Sequence, residues 1–236
     1  MQCVLQAEML SSLVGIVHGL AKSVNMDCTT EGFHIQCLET DVSLCSFVLD
    51  KDGFKSYECL RPVTLGLNVD VLYMVLQQVD GMVSLATCGD VLRICCHTAE
   101  KKSSFDMKLM HIEVDQLSVP AVEYQFIVQM PSYDFVRTCR GCCGDKMEIT
   151  VNNKIQFTSK GDQCSSSATY GGVLKNVGEV SLAFSAKYLS TVAKGAALSK
   201  VVVLSMNPDY PLCVEFGFHG GHLQFHLAPI DVCAPQ

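Results

Sequence analysis

One succession of strand and helix patterns runs through this chain twice, and it constrains the fold more than any other feature. The first half opens with a strand-like run passing into a helical pattern, CVLQAEMLSSLVGIVHGLAK, and the second opens the same way, YQFIVQMPSYDFVRTCRGC. Each half continues with a short alternating segment, GFHIQC and then KIQFTS. A strand running into a second helix follows, LGLNVDVLYMVLQQV and then VSLAFSAKYLSTVAKGA. Alternating strands close each half, MVSLATCGDVLRICC in one and KVVVLSMNPDYPLCVEF with HLQFHLAP in the other. A period this long marks two similar domains of about 100 residues each rather than a solenoid. The expected division is 1–108 and 125–236, joined by 109–124, where Pro120 and mixed polarity suit a connecting loop or edge strand.

Period-2 alternation outweighs the four helical patterns, which predicts an α+β fold in which sheets carry helices on one side. With 49% hydrophobic residues the 236-residue chain is too apolar to be disordered. No apolar run reaches the roughly 18 residues of a membrane span, and the N-terminus lacks the pattern of a secretory signal. These features read as a soluble intracellular protein that does not enter a membrane. The 14 cysteines lie largely inside apolar strand-like runs, where a thiol behaves as a small hydrophobe. Unpaired thiols in a reducing compartment are therefore expected.

The helical patterns sort their residues into faces. In the first, Leu10, Leu13, Val17 and Leu20 form an apolar stripe, with Ser11, Gly15, His18 and Lys22 opposite. In the second, Val71, Leu72, Val75 and Leu76 pack, leaving Asp70, Met74, Gln77 and Gln78. In the third, Phe135, Val136 and Cys139 turn inward while Arg137 and Arg140 share the outer face. In the fourth, Tyr188, Leu189 and Val192 pack while Lys187, Thr191 and Lys194 share a face. Basic residues on helix surfaces are ordinary in themselves. Here they recur on related helices of a chain whose net charge is −7, so any binding of a polyanion requires cations segregated on one face.

Three stretches carry a family resemblance: GFKSYECLRPVTLGLNVDVL, DMKLMHIEVDQLSVPAVEYQFIVQMPSYDFVRTCR and KYLSTVAKGAALSKVVVLSMNPDYPLCVEF with GHLQFHLAP. In their order and spacing they resemble the proliferating cell nuclear antigen family, the eukaryotic DNA sliding clamps. The resemblance spans essentially the whole chain. It implies a non-catalytic subunit that closes head to tail with two copies of itself into a homotrimeric ring around duplex DNA. Helices would line the hole and antiparallel sheets the rim. Such a ring binds DNA without regard to sequence, acts as a processivity factor and docking platform, and works in the nucleus. By the same resemblance Arg137, Arg140, Lys187 and Lys194 match basic channel positions. Ser11, Ser12, His18, Met74 and Gln77 stand where the family carries lysines. The seam would join an edge strand around Phe105 and Met107 to one spanning Ser165 to Tyr170 of the neighbour. Peptides of polymerases, nucleases, ligases and the clamp loader would dock in an apolar pocket. It takes Leu38, Val42 and Leu44 from one segment and Leu117, Val119 and Tyr124 from the connector. Pro211, His226, Ala228 and Pro229 complete it, with His226 in place of the family's usual tyrosine.

Two other readings compete. A specialised subunit of a mixed or checkpoint ring would account for the reduced channel charge. A thiol or zinc enzyme would use Cys139 and Cys142 with Cys143, or His219, His222 and His226. The CxxC stands alone without a thioredoxin-like βαβ pattern, and the histidines lie in a glycine-rich strand region where they need not converge. Gly161–Asp162 and Cys164 to Ser167 are ordinary loop chemistry without a partnering base. No Walker motif, Rossmann glycine pattern or nucleophile elbow is present. No catalytic residue, metal or cofactor is expected.

Overall fold

A computed structural model of the chain describes residues 1–39, 43–97, 102–113 and 122–230. It divides into two units, each containing the same succession of elements. Unit 1 comprises Met1–Glu39, Cys45–Ser118 and Phe218–Leu223, and unit 2 comprises Thr40–Leu44, Val119–Gly217 and Gln224–Gln236.

The elements of the first half are β1 (Gln2–Gln6), α1 (Ala7–His18), β2 (Ser23–Cys28), β3 (Gly32–Glu39), β4 (Ser43–Asp50), β5 (Ser56–Glu58), β6 (Val63–Asn68), α2 (Val69–Leu76), β7 (Met82–Cys88), β8 (Val91–His97) and β9 (Lys102–Lys108). Those of the second half are β10 (Phe126–Pro131), α3 (Ser132–Arg140), β11 (Lys146–Val151), β12 (Ile155–Lys160), β13 (Ser165–Tyr170), β14 (Val173–Lys175), β15 (Val180–Ser185), α4 (Ala186–Val192) with a 3-10 turn at Ala193–Ala197, β16 (Val201–Asn207), β17 (Tyr210–Phe218) and β18 (Gly221–Leu227). The strand orders correspond. β5-β1-β7-β8-β9 in one half matches β14-β10-β16-β17-β18 in the other, and β4-β3-β2-β6 matches β13-β12-β11-β15. The equivalent strands pair antiparallel in both halves, β1 with β7 and β10 with β16. The repeated sequence pattern is therefore a repeated topology, and the α+β fold expected from it is the fold found.

Alternation builds these strands. In β18 the pattern puts Leu223, Phe225 and Leu227 inside and leaves His222, Gln224 and His226 half-buried on the other face. The helices then cover the inner faces. In unit 1, α1 buries Leu10, Leu13, Val14, Ile16 and Val17, and α2 buries Val69, Leu72, Val75 and Leu76. Asn68 starts α2 by accepting a hydrogen bond from the Val71 amide at 3.0 Å, a cap worth about 1 kcal/mol. In unit 2, Phe135 of α3 meets Phe157 and Phe216 with ring centroids 6.4 Å away in each case. Gly195 lies so close to this cluster that an added Cβ would sit 2.5 Å from the Phe216 ring.

Several expected facings differ. α1 ends at His18, so Leu20 and Lys22 lie beyond it. The Lys22 carbonyl instead accepts the Val69 amide at 2.9 Å, which ties the approach to β2 onto the start of α2. Val71 is 37% exposed, because in an eight-residue helix the inward face is taken by Val69, Leu72, Val75 and Leu76. Val136 is only half-buried and Thr138 is buried in its place. α4 stops at Val192, which puts Lys194 on the 3-10 turn rather than on a continuous α-helical face. The expectation of unpaired thiols throughout also fails at one point, since Cys143 and Cys164 are joined by a disulfide.

Candidate DNA-facing and partner-docking surfaces

The helix pair of unit 2 presents cations. On α3, burial of Ser132, Phe135, Thr138 and Cys139 turns Tyr133, Arg137 and Arg140 outward. The Thr138 hydroxyl donates to the Asp134 carbonyl at 2.8 Å and lies 2.9 Å from the Tyr170 hydroxyl, which anchors the helix to β13. Lys187 is exposed, with its ammonium 5.3 Å from the Tyr188 ring centre. Lys194 is exposed on the following turn. Among the described residues Arg137, Arg140 and Lys194 form no ion pair, so their charge is free to act on an external anion.

The corresponding helix pair of unit 1 is different. Its one potential cation, His18, lies 3.1 Å from the Asp70 carboxylate and stacks on Tyr73 at 4.6 Å between centroids. Gln77 donates to the Ser11 hydroxyl at 3.2 Å. Glu8, Val71 and Met74 are exposed beside them. This face satisfies itself and carries more acid than base. Sequence reasoning placed His18 here but missed Asp70 and Tyr73 as its partners. The i, i+3 spacing of those two residues was the available signal. Lys22, off the helix, is exposed in the turn before β2.

The expected docking pocket is described in part. Val42, Leu117 and Val119 lie outside the described residues. Leu38, in unit 1, is 47% exposed. In unit 2, Leu44, Tyr124, His226, Ala228 and Pro229 are half-buried and Pro211 is exposed. The Ile230 amide donates to the Ala183 carbonyl at 2.7 Å and so fixes the segment carrying Ala228 and Pro229. Burial raises the Tyr124 hydroxyl to about 12, with Cys213 beside it contributing. The His226 Nε2 atom is buried without a hydrogen-bond partner among the described residues.

Two family models match end to end. Proliferating cell nuclear antigen, N-terminal domain, covers residues 3–117, and proliferating cell nuclear antigen, C-terminal domain, covers residues 118–230. The proliferating cell nuclear antigen of Chaetomium thermophilum is 32% identical over 246 residues, spanning 95% of each chain. This chain belongs to the proliferating cell nuclear antigen family. Its function is accordingly that of a DNA sliding clamp. The two clamp-family domains are the two repeated topologies of the fold.

The strands expected at a subunit seam are β9 and β13. β9 and β13 each occupy an outer position in their sheets. Phe105 is half-buried, but Met107 is 5% exposed and turns into the core of its own unit, so only its backbone is available to a neighbour. Arg93 of β8 makes two hydrogen bonds to Asp106 of β9, at 2.8 and 2.9 Å, which fix the register of that edge. For the zinc reading, no group of three or more His, Cys, Asp or Glu among the described residues has metal-holding geometry. His219 falls in the turn before β18, away from the row of His222 and His226.

Two half-buried histidines give this clamp protein a pH dependence. Burial lowers the pKa of His226. Burial likewise lowers that of His34, whose Nε2 lies 3.1 Å from the Ser46 hydroxyl; His222 adds to the fall and Asp27 opposes it. Near and below the ordinary value of 6.5 the unfolded chain then holds more protons than the folded one. Stability present above that value is lost as pH falls toward the lowered folded values. Urea midpoints are expected to drop between pH 8 and pH 5, and to drop less in the His34→Gln, His226→Gln variant. Equal slopes for the two proteins would contradict this assignment.

Proposed function

We propose that three copies of this chain close head to tail into a ring around duplex DNA and tether replication and repair enzymes to it in the nucleus. The observation that supports the ring is that β9 in the first half and β13 in the second are both among the outer strands of their sheets. An unpaired strand edge is a template for pairing, and a head-to-tail contact whose rotation closes covers the β9 and β13 edges of every copy. A groove of about 400 Å³ lined by Arg137, Thr138, Met147, Phe157, Ala168 and Tyr170 lies open beside β13 and offers room for a neighbour's side chains. Phe105 and the stretch from Ser165 to Tyr170 are the proposed seam.

Arg137, Arg140, Lys187 and Lys194 are the proposed phosphate contacts. A sliding clamp gains from diffuse attraction to phosphates and loses mobility from hydrogen bonds to base edges. Cations confined to one helix pair in a chain of net charge −7 meet that requirement. His18 and Lys22 are weaker contributors, one already paired with Asp70 and the other outside the helix face. The clamp performs no chemistry of its own. It acts by effective concentration, since an enzyme held to an encircling ring rebinds its primer end instead of diffusing away.

Client peptides are proposed to dock as a short helix on the apolar surface of unit 2 that includes Leu44, Tyr124, Pro211, His226, Ala228 and Pro229. Introducing carboxylates with Leu44→Asp and Ala228→Asp is expected to lower affinity for a client peptide by about 100-fold, because a buried unpaired charge opposes the apolar anchors. Calorimetry showing undiminished affinity would reject this pocket.

A mixed ring is the second reading, favoured by the self-paired face of α1 and α2. Equilibrium sedimentation of the pure protein separates the two. Three times the chain mass supports the homotrimer. A monomer that trimerises only on addition of a sister subunit supports the mixed ring.

A further inference from the structure

The disulfide between Cys143 and Cys164 spans 21 residues of sequence, with its Cα atoms 5.9 Å apart. Cys143 lies in the loop that leaves α3, and Cys164 lies directly before β13. A disulfide in a chain that works in a reducing compartment is usually a transient, redox-responsive bond rather than a permanent staple. Its surroundings suit that use. Cys164 is exposed and Cys143 half-exposed, so a small thiol reaches them. The nearby Cys139 differs, being buried with its thiol pushed up to about 12 by that burial, which makes it a poor nucleophile.

The two loops are clasped together by contacts that do not involve sulfur. The Ser159 hydroxyl accepts from the Cys143 amide at 3.2 Å and the Gly144 amide at 3.1 Å, and donates to the Lys146 carbonyl at 3.0 Å. The backbones approach so closely that a Cβ on Gly144 would meet the Lys160 carbonyl oxygen at 2.2 Å, and one on Gly161 would meet that of Cys143 at 2.0 Å. Breaking the bond therefore leaves Cys143 in place and removes one tie from Cys164, leaving the start of β13 held by the Gly161 amide on the Cys164 carbonyl at 2.9 Å and by its pairing with β12. The sulfurs stay near each other, ready to rejoin.

We propose that Cys143 and Cys164 form a reversible thiol–disulfide site that exchanges with glutathione and sets the order of the β13 edge. On oxidation the exposed Cys164 thiolate attacks glutathione disulfide, forming a mixed disulfide and releasing one glutathione thiolate. The Cys143 thiolate then attacks the Cys164 sulfur, forming the protein bond and expelling the second glutathione. The two protein thiols together lose two protons and two electrons, and one glutathione disulfide becomes two glutathione molecules. The consequence for a seam rests on the ring proposed above, whereas the thiol chemistry does not.

The test equilibrates the full chain in glutathione buffers from strongly reducing to oxidising, traps free thiols by alkylation and maps linkages by peptide mass spectrometry. The expected result is a Cys143–Cys164 linkage rising from absent to complete across the series, unchanged in Cys142→Ser. A linkage that persists in the most reducing buffer, never forms, or joins Cys142 to Cys164 instead would overturn the proposal. Hydrogen exchange of residues 165–170 is expected to quicken at least about tenfold on reduction and to be equally fast in Cys143→Ser under oxidising conditions. Exchange indifferent to the bond would overturn the coupling to β13. Failure of the chain to trimerise would leave the linkage titration as it stands, so the two readings fail separately.

Discussion

Reversing two cations with Arg140→Glu and Lys194→Glu is expected to lower the affinity of the assembled protein for duplex DNA about 100-fold at low salt, while its sedimentation mass stays that of the wild type. Arg140 is exposed at the end of α3 and Lys194 on the 3-10 turn after α4, and neither makes an ion pair among the described residues, so their removal leaves no internal partner behind. Neither lies on β9 or β13, so the proposed seam is spared. Counterion release supplies the scale: every phosphate that is no longer neutralised takes about 0.9 off the slope of log affinity against log salt. The paired face of α1 and α2 has no free cation to compensate among the described residues, since His18 is held by Asp70. Fluorescence anisotropy across a salt series reads both the affinity and the slope. An unchanged slope together with undiminished polymerase stimulation on primed DNA would show that these residues do not face phosphate.

Phe135→Ala is expected to cost unit 2 about 3–5 kcal/mol, the range for removing a buried aromatic ring without collapse of the cavity. Phe135 is 0% exposed and touches Phe157 and Phe216, which lie on two different sheets of that unit. Its loss unseats α3, the helix that carries Arg137 and Arg140, so DNA affinity should fall with stability even though no cation is touched. Urea denaturation followed by fluorescence of a probe in unit 2 checks the first effect. A loss below about 1 kcal/mol would mean that the site repacks and that the aromatic cluster does not hold α3.

The sequence was most legible where the physics is local and repeated. Alternation identified the strands, and the doubled order of patterns identified two domains because both halves must bury equivalent faces. Legibility fell at helix ends. Leu20 and Lys22 continue the apolar and polar stripes of α1, yet the turn at Gly19 and the bond from Val69 to Lys22 divert the backbone first. Lys194 keeps its exposure although α4 tightens into a 3-10 turn before it. The inward choice between Val136 and Thr138 depended on the tertiary contact of Thr138 with Tyr170, which helical spacing cannot supply. Partnership across elements was hidden for the same reason. Nothing in the first helical pattern by itself reveals that Asp70 lies against His18. Nothing in the spacing of 14 cysteines selects Cys143 and Cys164, because their loops are brought together by Ser159 and two glycines on separate segments. The docking pocket was carried by family resemblance alone, since its residues come from distant segments.

Encirclement is separated from simple adhesion by one measurement. The protein is loaded onto a nicked circular plasmid by a clamp loader with ATP, the circle is then cut at one site, and DNA-bound protein is counted by gel filtration before and after cutting. A closed ring stays on the circle in salt high enough to abolish charge-driven binding and leaves when the DNA becomes linear. Equal retention on circular and linear DNA would contradict a chain that encircles its duplex.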